Sequence, residues 1–329
     1  MSEKYILGVD GGGTKTHCVL YGLEDGDSYL FTFPTSNHES LRGGYTQLEK
    51  VLEEIVSIIC SSRNITVNDI VRSCFNLSGI DFPYQEKLIS DMIENTGLRN
   101  FILRNDTYAG VKANCENGYG IAAVNGTGCC IAGVNEEGKS IQLGGLGDIS
   151  GDIGGAHHMI KKAVQAVYDN LFRGGEDTLL SEELGKALST DVSKITEKAF
   201  QAFERNDEKL IRKMAIAVYS AADKNDKKAF DILEEIGDYY VDNIIAVYNL
   251  LGFNPSTQVP VTLIGTQFIK GENPAIINRI KSKIEGDGRP FKVSVSSVKP
   301  VVGSVLWAAE LAGISAEERK DIRAALEGI

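Results

Sequence analysis

Asp10 stands at the end of an apolar run, Tyr5–Val9, and is followed at once by Gly11, Gly12, Gly13 and Thr14. An acid delivered by a strand to a turn of glycines suits phosphate chemistry. Glycine tolerates positive φ and lets backbone N–H groups approach an anion with no Cβ in the way. A carboxylate so near phosphates needs a cation between them, which implies Mg²⁺, held by Asp10 through water. Beyond Lys15, a second apolar run leaves the turn, so the element reads as a hairpin that handles a nucleotide. A matching turn, Val124-Asn125-Gly126-Thr127-Gly128, joins the apolar runs Gly120–Asn125 and Cys129–Val134. Either alone is an ordinary tight hairpin. Two at corresponding points of a repeated plan point to polyphosphate gripped from opposite sides. Neither is a GxxxxGK[ST] loop, and neither runs directly into a helix, which excludes the P-loop and the dinucleotide fingerprint.

The elements that must hold these turns follow from periodicity. Strands are expected at Tyr5–Asp10, His17–Leu23 and Tyr29–Thr32, with a turn at Glu24–Asp27. A helix follows, with Leu48, Val51, Leu52, Ile55, Ile58 and Ile59 at i, i+3, i+4 spacing. Strand Ser73–Leu77, a helix near Tyr84–Asn95, strand Phe101–Arg104 and a helix from Thr107 complete the order βββαβαβα. That order predicts an α/β layer with a mixed sheet. The plan then restarts: strands Gly120–Asn125 and Cys129–Val134, a charged turn at Asn135–Lys139, and a helical block over roughly Gly154–Leu251. Strand Val259–Ile264, a helix near Pro274–Ile284, strand Phe291–Val295 and helix Val301–Ala312 close the second copy.

Bulk properties narrow the function. A chain of 329 residues favours two lobes over one core. A formal charge of −11 leaves no basic surplus to displace the counterions of a nucleic acid. The six cysteines have no CxxC or other ligand spacing and sit in apolar segments, as reduced thiols of a cytoplasmic protein do. No apolar run approaches the roughly 18 residues of a membrane span. His157 and His158 are adjacent, so a helix would point them about 100° apart, a poor start for a zinc site.

Other polar residues each have two readings. Asp106, in RNDTYAG, either caps the helix that follows or accepts a proton in the reaction, and the residues alone do not choose. Asn37, in TSNHES, and Ser78, Gly79 and Asp81, in NLSGID, are common loop and turn residues. Asp152, in GGLGDISGDIGGAHH, can cap the helix beginning near Gly154 or hold the hydroxyls of a polyol. Gly265 and Thr266 sit at a strand-to-helix turn, where α/β sheets bind ligands.

Taken in order, these motifs resemble the N-acetylglucosamine kinase branch of the BadF/BadG/BcrA/BcrD ATPases, within the actin–hexokinase–Hsp70 superfamily. The similarity is dense at Ile6–Thr16, Thr35–His38, Leu77–Asp81, Arg104–Gly110, Ala123–Gly133 and Gly144–Ala156. The resemblance implies two duplicated ribonuclease H-like lobes around an interlobe cleft. The first lobe would be 1–118, completed by a C-terminal helix in 315–329, and the second 119–314. It implies that Asp106 is the general base. Asn37, Ser78, Gly79, Asp81, Gly126, Gly145, Leu146 and Asp152 would contact a sugar. Gly11, Gly12, Gly13, Thr14, Lys15, Thr127 and Gly128 would hold the phosphates of ATP, and Gly265 and Thr266 its adenosine. The expected partners are a small amino sugar and a second copy of the chain, with no nucleic acid and no membrane.

Two positions depart from the family pattern GGWGxxxGDEGSA: Leu146 replaces its aromatic residue and Ile153 the acid after Asp152. The first removes a face for sugar stacking and would widen the pocket for a bulkier sugar; the second removes a hydrogen-bond partner. The implied activity is ATP-dependent phosphorylation of an N-acetylated amino sugar, N-acetylglucosamine first, with N-acetylmuramic acid or glucosamine next. The alternative within the family is an ATPase that activates a radical 2-hydroxyacyl-CoA dehydratase or a benzoyl-CoA reductase-type system. Members of that kind carry cysteines that bridge two subunits through an iron–sulfur cluster, and the cysteines here lie in apolar strands and helices.

Overall fold

The computed structural model describes residues 3–115, 117–269, 273–296 and 298–329. The chain begins β1 (Tyr5–Gly11), β2 (Lys15–Gly22), β3 (Ser28–Pro34), α1 (Gly44–Arg63), β4 (Ile70–Leu77), α2 (Pro83–Asn95), β5 (Phe101–Arg104) and α3 (Thr107–Asn114). It continues β6 (Gly120–Asn125), β7 (Cys129–Val134), β8 (Ser140–Gly144), α4 (Gly155–Phe172), α5 (Leu180–Leu188), α6 (Ile195–Glu204), α7 (Glu208–Asp223) and α8 (Lys227–Leu251). The last elements are β9 (Val259–Ile264), α9 (Thr266–Ile269), α10 (Ala275–Asp287), β10 (Phe291–Val295), α11 (Pro300–Leu311) and α12 (Ala316–Ala325). Lys270 and Gly271, the end of the VTLIGTQFIKG segment, lie outside the described residues. None of the helices among the described residues is long and apolar enough to cross a membrane.

The repeat is written in the strand order. The first sheet runs β3-β2-β1-β4-β5 and the second β8-β7-β6-β9-β10, the same path with each strand replaced by its counterpart. In the first sheet β2 pairs antiparallel with both β1 and β3, while β1–β4 and β4–β5 are parallel. Strand β8 is the counterpart of β3. Its sequence, SIQLG, is half-buried throughout after an exposed start, so it has no apolar alternation by which to announce itself.

The chain divides into two compact units, Met1–Ala122 with Ala132–Ser140 and Ser297–Ile329, and Ala123–Ile131 with Ile141–Ser296. In the first, β1 is buried on both faces. Tyr5, Leu7 and Val9 point to a cluster with Leu48, Leu52, Ile55 and Ile59 of α1 and Ile89 and Ile93 of α2. Ile6 points the other way, with Val19 and Cys74, to Val301, Val302 and Val305 of α11 and Ile322 of α12. Period-two alternation on a strand sandwiched by helices requires apolar side chains at both parities. Helix α11, which the 119–314 boundary assigned to the second lobe, therefore belongs with the first unit: its apolar face covers β1. Ser315 starts α12 with a capping box to Glu318.

In the second unit the helical block is divided into five helices, α4 to α8. Two of its breaks have the same device: Asn206 and Asn225 take positive φ, and the next residues, Asp207 and Asp226, cap α7 and α8 through the N–H groups of Leu210 and Ala229. Tyr240, fully buried on α8, donates its hydroxyl to the Val124 carbonyl of β6 at 2.8 Å.

Helix α11 meets its neighbours backbone to backbone. A Cβ on Gly8 would lie 2.5 Å from the Val305 nitrogen, and one on Gly303 would lie 1.9 Å from the Ala109 carbonyl oxygen of α3. Neither neighbour is a flexible side-chain tip that can step aside. Gly303→Ala should therefore cost about 1–3 kcal/mol or more in unfolding free energy, as overpacking of cores does. Urea denaturation checks this, and a loss well under 1 kcal/mol would contradict the contact.

Candidate active site

Because β1, β4 and β5 are parallel neighbours, their carboxyl ends lie along one edge of the first sheet. Asp10 is paired with Asn76, and Asn76 with Arg104, in the strand register. The turn after β4 is tied to the end of β1 by a hydrogen bond from the Ser78 N–H to the Gly11 carbonyl, 2.7 Å. The glycine turn is closed by the Gly12 N–H on the Lys15 carbonyl, 3.0 Å, and held from outside by the Thr35 hydroxyl on the Gly12 carbonyl, 2.8 Å. Gly79, at φ +80°, brings its backbone against Asn37 and His38: a Cβ there would lie 2.8 Å from Asn37 Oδ1. Gly13, Thr14 and Lys15 are exposed at the tip. The first unit thus brings together Asp10, the glycine turn, Asn37, Ser78, Gly79, Asp81 and Asp106.

Asp106 is not the side-chain cap of α3. Its backbone is already helical, at φ −60° and ψ −27°. The Thr107 N–H donates instead to Asn105 Oδ1 at 3.0 Å, and Asn105 Nδ2 donates to Asp81 Oδ1 at 3.2 Å. Burial and the neighbouring charge of Asp81 push the Asp106 carboxyl up to about 7, against a smaller opposing pull from the Thr107 and Asp106 N–H groups. Burial and the charge of Asp106 push Asp10 up to about 8, with Lys15 pulling the other way. Crowded carboxylates in a half-dry site resist joint ionisation, and added positive charge relieves that. The all-oxygen donor set fits a hard cation such as Mg²⁺. Among the described residues no three His, Cys, Asp or Glu side chains form a ready-made metal cage.

In the second unit, the Gly126–Gly128 turn is closed by the Gly126 N–H on the Gly128 carbonyl, 3.0 Å. Thr127 and Gly128 are exposed. The start of α4 comes up beneath it: Ala156 N–H donates to the Gly126 carbonyl and His157 N–H to that of Thr127, at 2.9 and 3.2 Å. Asn125 joins three segments. Its Oδ1 accepts from the Gly155 N–H at 2.9 Å, and its backbone carbonyl faces Gly265, where a Cβ would lie 2.4 Å away. Gly265, at φ +114°, and exposed Thr266 therefore stand beside the hairpin.

The structure removes one of the two readings of Asp152. It does not cap α4, whose N-cap is Gly154 with no side-chain bond. Its Oδ2 accepts from the Gly145 and Gly147 N–H groups, both at 2.8 Å, and its Oδ1 accepts from the Ser150 hydroxyl at 2.7 Å and the Tyr239 hydroxyl at 3.1 Å. Four donors fill the acceptor capacity of one carboxylate. Asp152 thus shapes the Gly144–Gly147 loop, with Leu146 half-buried and Ile149 almost wholly exposed in the same stretch.

Residues 7–308 match the model of the BadF/BadG/BcrA/BcrD ATPase family. The chain belongs to this family. Over 183 residues, 55% of this chain and 59% of the other, it is 29% identical to an N-acetylmuramic acid/N-acetylglucosamine kinase of Clostridium acetobutylicum. It is 24% identical to an N-acetyl-D-glucosamine kinase of Dictyostelium discoideum over 94% of this chain and 98% of that one. The fold is shared with a candidate N-acetylglucosamine kinase from Chromobacterium violaceum, at a TM-score of 0.69 and 20% identity over 92% of this chain and 98% of that one. It is also shared with a ROK family glucokinase from Streptomyces griseus solved with glucose and AMPPNP, at 0.57 and 15% over 93% and 99%. The actin-like ATPase architecture of duplicated α/β lobes is therefore that of this BadF/BadG/BcrA/BcrD protein.

Sequence reasoning about this family member overlooked Asn105, Asn125 and Tyr239. The two asparagines were visible, each directly before a motif residue, at the point where a strand ends and backbone N–H groups need acceptors. Tyr239 carried no signal, since its partner is 87 positions away.

The raised carboxyl pKa values have a consequence for stability. A carboxyl whose folded pKa exceeds its unfolded value keeps its proton longer when folded. Its contribution to stability is present at low pH and is lost as pH rises from about 4 through about 7 for Asp106. In the protein without ligands, Asp106→Asn should raise the melting temperature at pH 8 by several degrees and change it little at pH 4. Thermal denaturation at the two pH values measures this; equal shifts at both would contradict it.

Proposed function

We propose that this protein transfers the γ-phosphoryl group of ATP to a hydroxyl of an N-acylated amino sugar, N-acetylglucosamine or N-acetylmuramic acid. The reading draws its substrate class from the named activities of the Clostridium and Dictyostelium relatives. The observation that carries it is Asp106: a carboxyl at the end of β5, not engaged as the cap of α3, with a pKa raised to about 7. Catalytic efficiency peaks when the base titrates near the working pH.

In this mechanism the sugar hydroxyl donates its proton to Asp106 as its oxygen attacks the γ-phosphorus. The bond from phosphorus to the bridging oxygen breaks, and ADP leaves. The N–H groups and hydroxyls of Gly11–Thr14 and Gly126–Gly128 orient the phosphates, and Gly265 and Thr266 accept the adenosine. Magnesium, held by Asp10 through water, would supply neutralisation of phosphate charge. Asn37, Ser78, Gly79 and Asp81 orient the sugar. In support, Ser78 Oγ, His38 Nδ1 and Thr107 Oγ1 are buried beside this edge with no protein partner, so the edge retains polar groups that a polyol and its waters could satisfy. Gly145, Leu146 and the loop set by Asp152 border the sugar. The aliphatic Leu146 gives room for a substituent larger than a hydroxyl, which favours testing N-acetylmuramic acid beside N-acetylglucosamine.

Release of ADP across a panel of amino sugars tests the reading; turnover on none of them would overturn it. On the preferred sugar, Asp106→Asn should lower kcat by about 10²–10⁴-fold, the usual worth of a general base. In the unaltered protein kcat/KM for the sugar should fall about tenfold per pH unit below about pH 7, because the base must be unprotonated. A flat profile from pH 5 to 8 would remove Asp106 from that role.

A further inference from the structure

Asn76 is an unusual residue for its place. It lies on β4, has no exposed surface, and sits on the strand between those that end in Asp10 and Arg104. A carboxamide sealed in a sheet costs several kcal/mol unless its groups are paired, and asparagine is disfavoured in strands. Here both the oxygen and the nitrogen of the carboxamide have partners. Oδ1 accepts from the Ser304 hydroxyl of α11 at 2.9 Å and from the Cys74 thiol at 3.1 Å, and Nδ2 donates to the Asn105 carbonyl at 3.2 Å. That carbonyl also receives the Tyr108 N–H at 3.2 Å, so Asn76 grips the peptide link directly before Asp106. Asn105 then uses its own carboxamide to hold the Thr107 N–H and Asp81. A continuous polar strut runs from α11 through β4 to the turn that presents Asp106.

A core position could have been filled by Val or Leu at no such cost, and packing alone gives no reason for an amide. What the amide adds is direction: one donor aimed at one carbonyl, with the rear of the group fixed by Ser304. Gly303, beside Ser304, packs α11 against the backbone of α3 at Ala109 and Ala113.

We infer that Asn76, anchored by Ser304, is a positioning residue that sets the orientation of Asp106 through the Asn105 peptide. The inference rests on the reading of Asp106 as general base. Asn76 cannot touch substrate, so its loss should act on turnover and not on binding.

Two substitutions test this, Asn76→Ala and the milder Ser304→Ala, which removes one hydroxyl and keeps the protein measurable should the first fail to fold. Removal of hydrogen bonds that orient metal ligands costs about 10–100-fold, and by analogy Asn76→Ala should lower kcat by about tenfold. Ser304→Ala should lower it about two- to fivefold, with KM for sugar and for ATP within about twofold in both. In a crystal structure of the variant, the Asn105–Asp106 turn should be displaced from its place in the unaltered protein. Unchanged kcat in folded Asn76→Ala, or in Ser304→Ala where only that one folds, would overturn the inference. So would a fall in kcat with Asp106 superimposing on the unaltered structure, or a loss seen in KM alone. If the unaltered protein phosphorylates no amino sugar, the proposed function fails by itself. The crystallographic position of Asp106 would still judge the strut.

Discussion

Helix α11 touches β1 at Gly8 and α3 at Gly303 with no side chain between the backbones, and the candidate active site of the first unit depends on that approach. A helix laid directly on a strand fixes the height of both to within a few tenths of an ångström, because close-packed backbone has no soft degree of freedom. β1 carries Asp10, and α3 begins beside Asp106. The same helix thus sets the relative position of the two acids, from a segment near 300 that is far from either in sequence. Ser304 adds a buried polar contact to Asn76.

Electrostatics turns this geometry into a site. Burial raises the pKa of both aspartates; the charge of Asp106 adds to it at Asp10, where Lys15 opposes, and the charge of Asp81 adds to it at Asp106. A fold selected for stability alone has no use for such an arrangement. The cost is accepted at the carboxyl ends of parallel strands, where α/β sheets place ligands. In the second unit the polar groups act on the backbone instead. Asn125 and Asp152 direct their oxygens at backbone N–H groups of glycines, which holds open loops that have no side chains of their own to pack.

Strand existence was legible wherever a strand coincides with an apolar run, whether it is buried on both faces, as Gly120–Asn125 and Cys129–Val134 are, or partly exposed, as Phe291–Val295 is. Phe101–Arg104, Gly120–Asn125, Cys129–Val134, Val259–Ile264 and Phe291–Val295 begin and end where their apolar runs do. β8 was missed because its sequence, SIQLG, carries no such run. The helical block was legible as helix and not as five helices, since two of its breaks depend on single asparagines that adopt positive φ. Asp106 was found, but its reading as the cap of α3 could not be dismissed, because that turned on whether a neighbouring amide would satisfy the helix end. Asn105 does so. Asp152 was found as a motif residue, while its four donors come from a loop and from Tyr239 of α8, and only folding brings those together.

By itself the sequence determined the local chemistry: glycine turns after strands, acids at strand ends, and a plan of elements stated twice. These follow from one or two neighbouring residues, since φ preference and apolar period are local properties. Tertiary structure alone decided the ownership of α11 by the first unit, the capping of α3 by Asn105, and the joining of Ser304, Asn76 and Asn105 into one strut. Each of these depends on a polar or backbone contact between segments remote in the chain, and such contacts leave no period or composition from which they could be read.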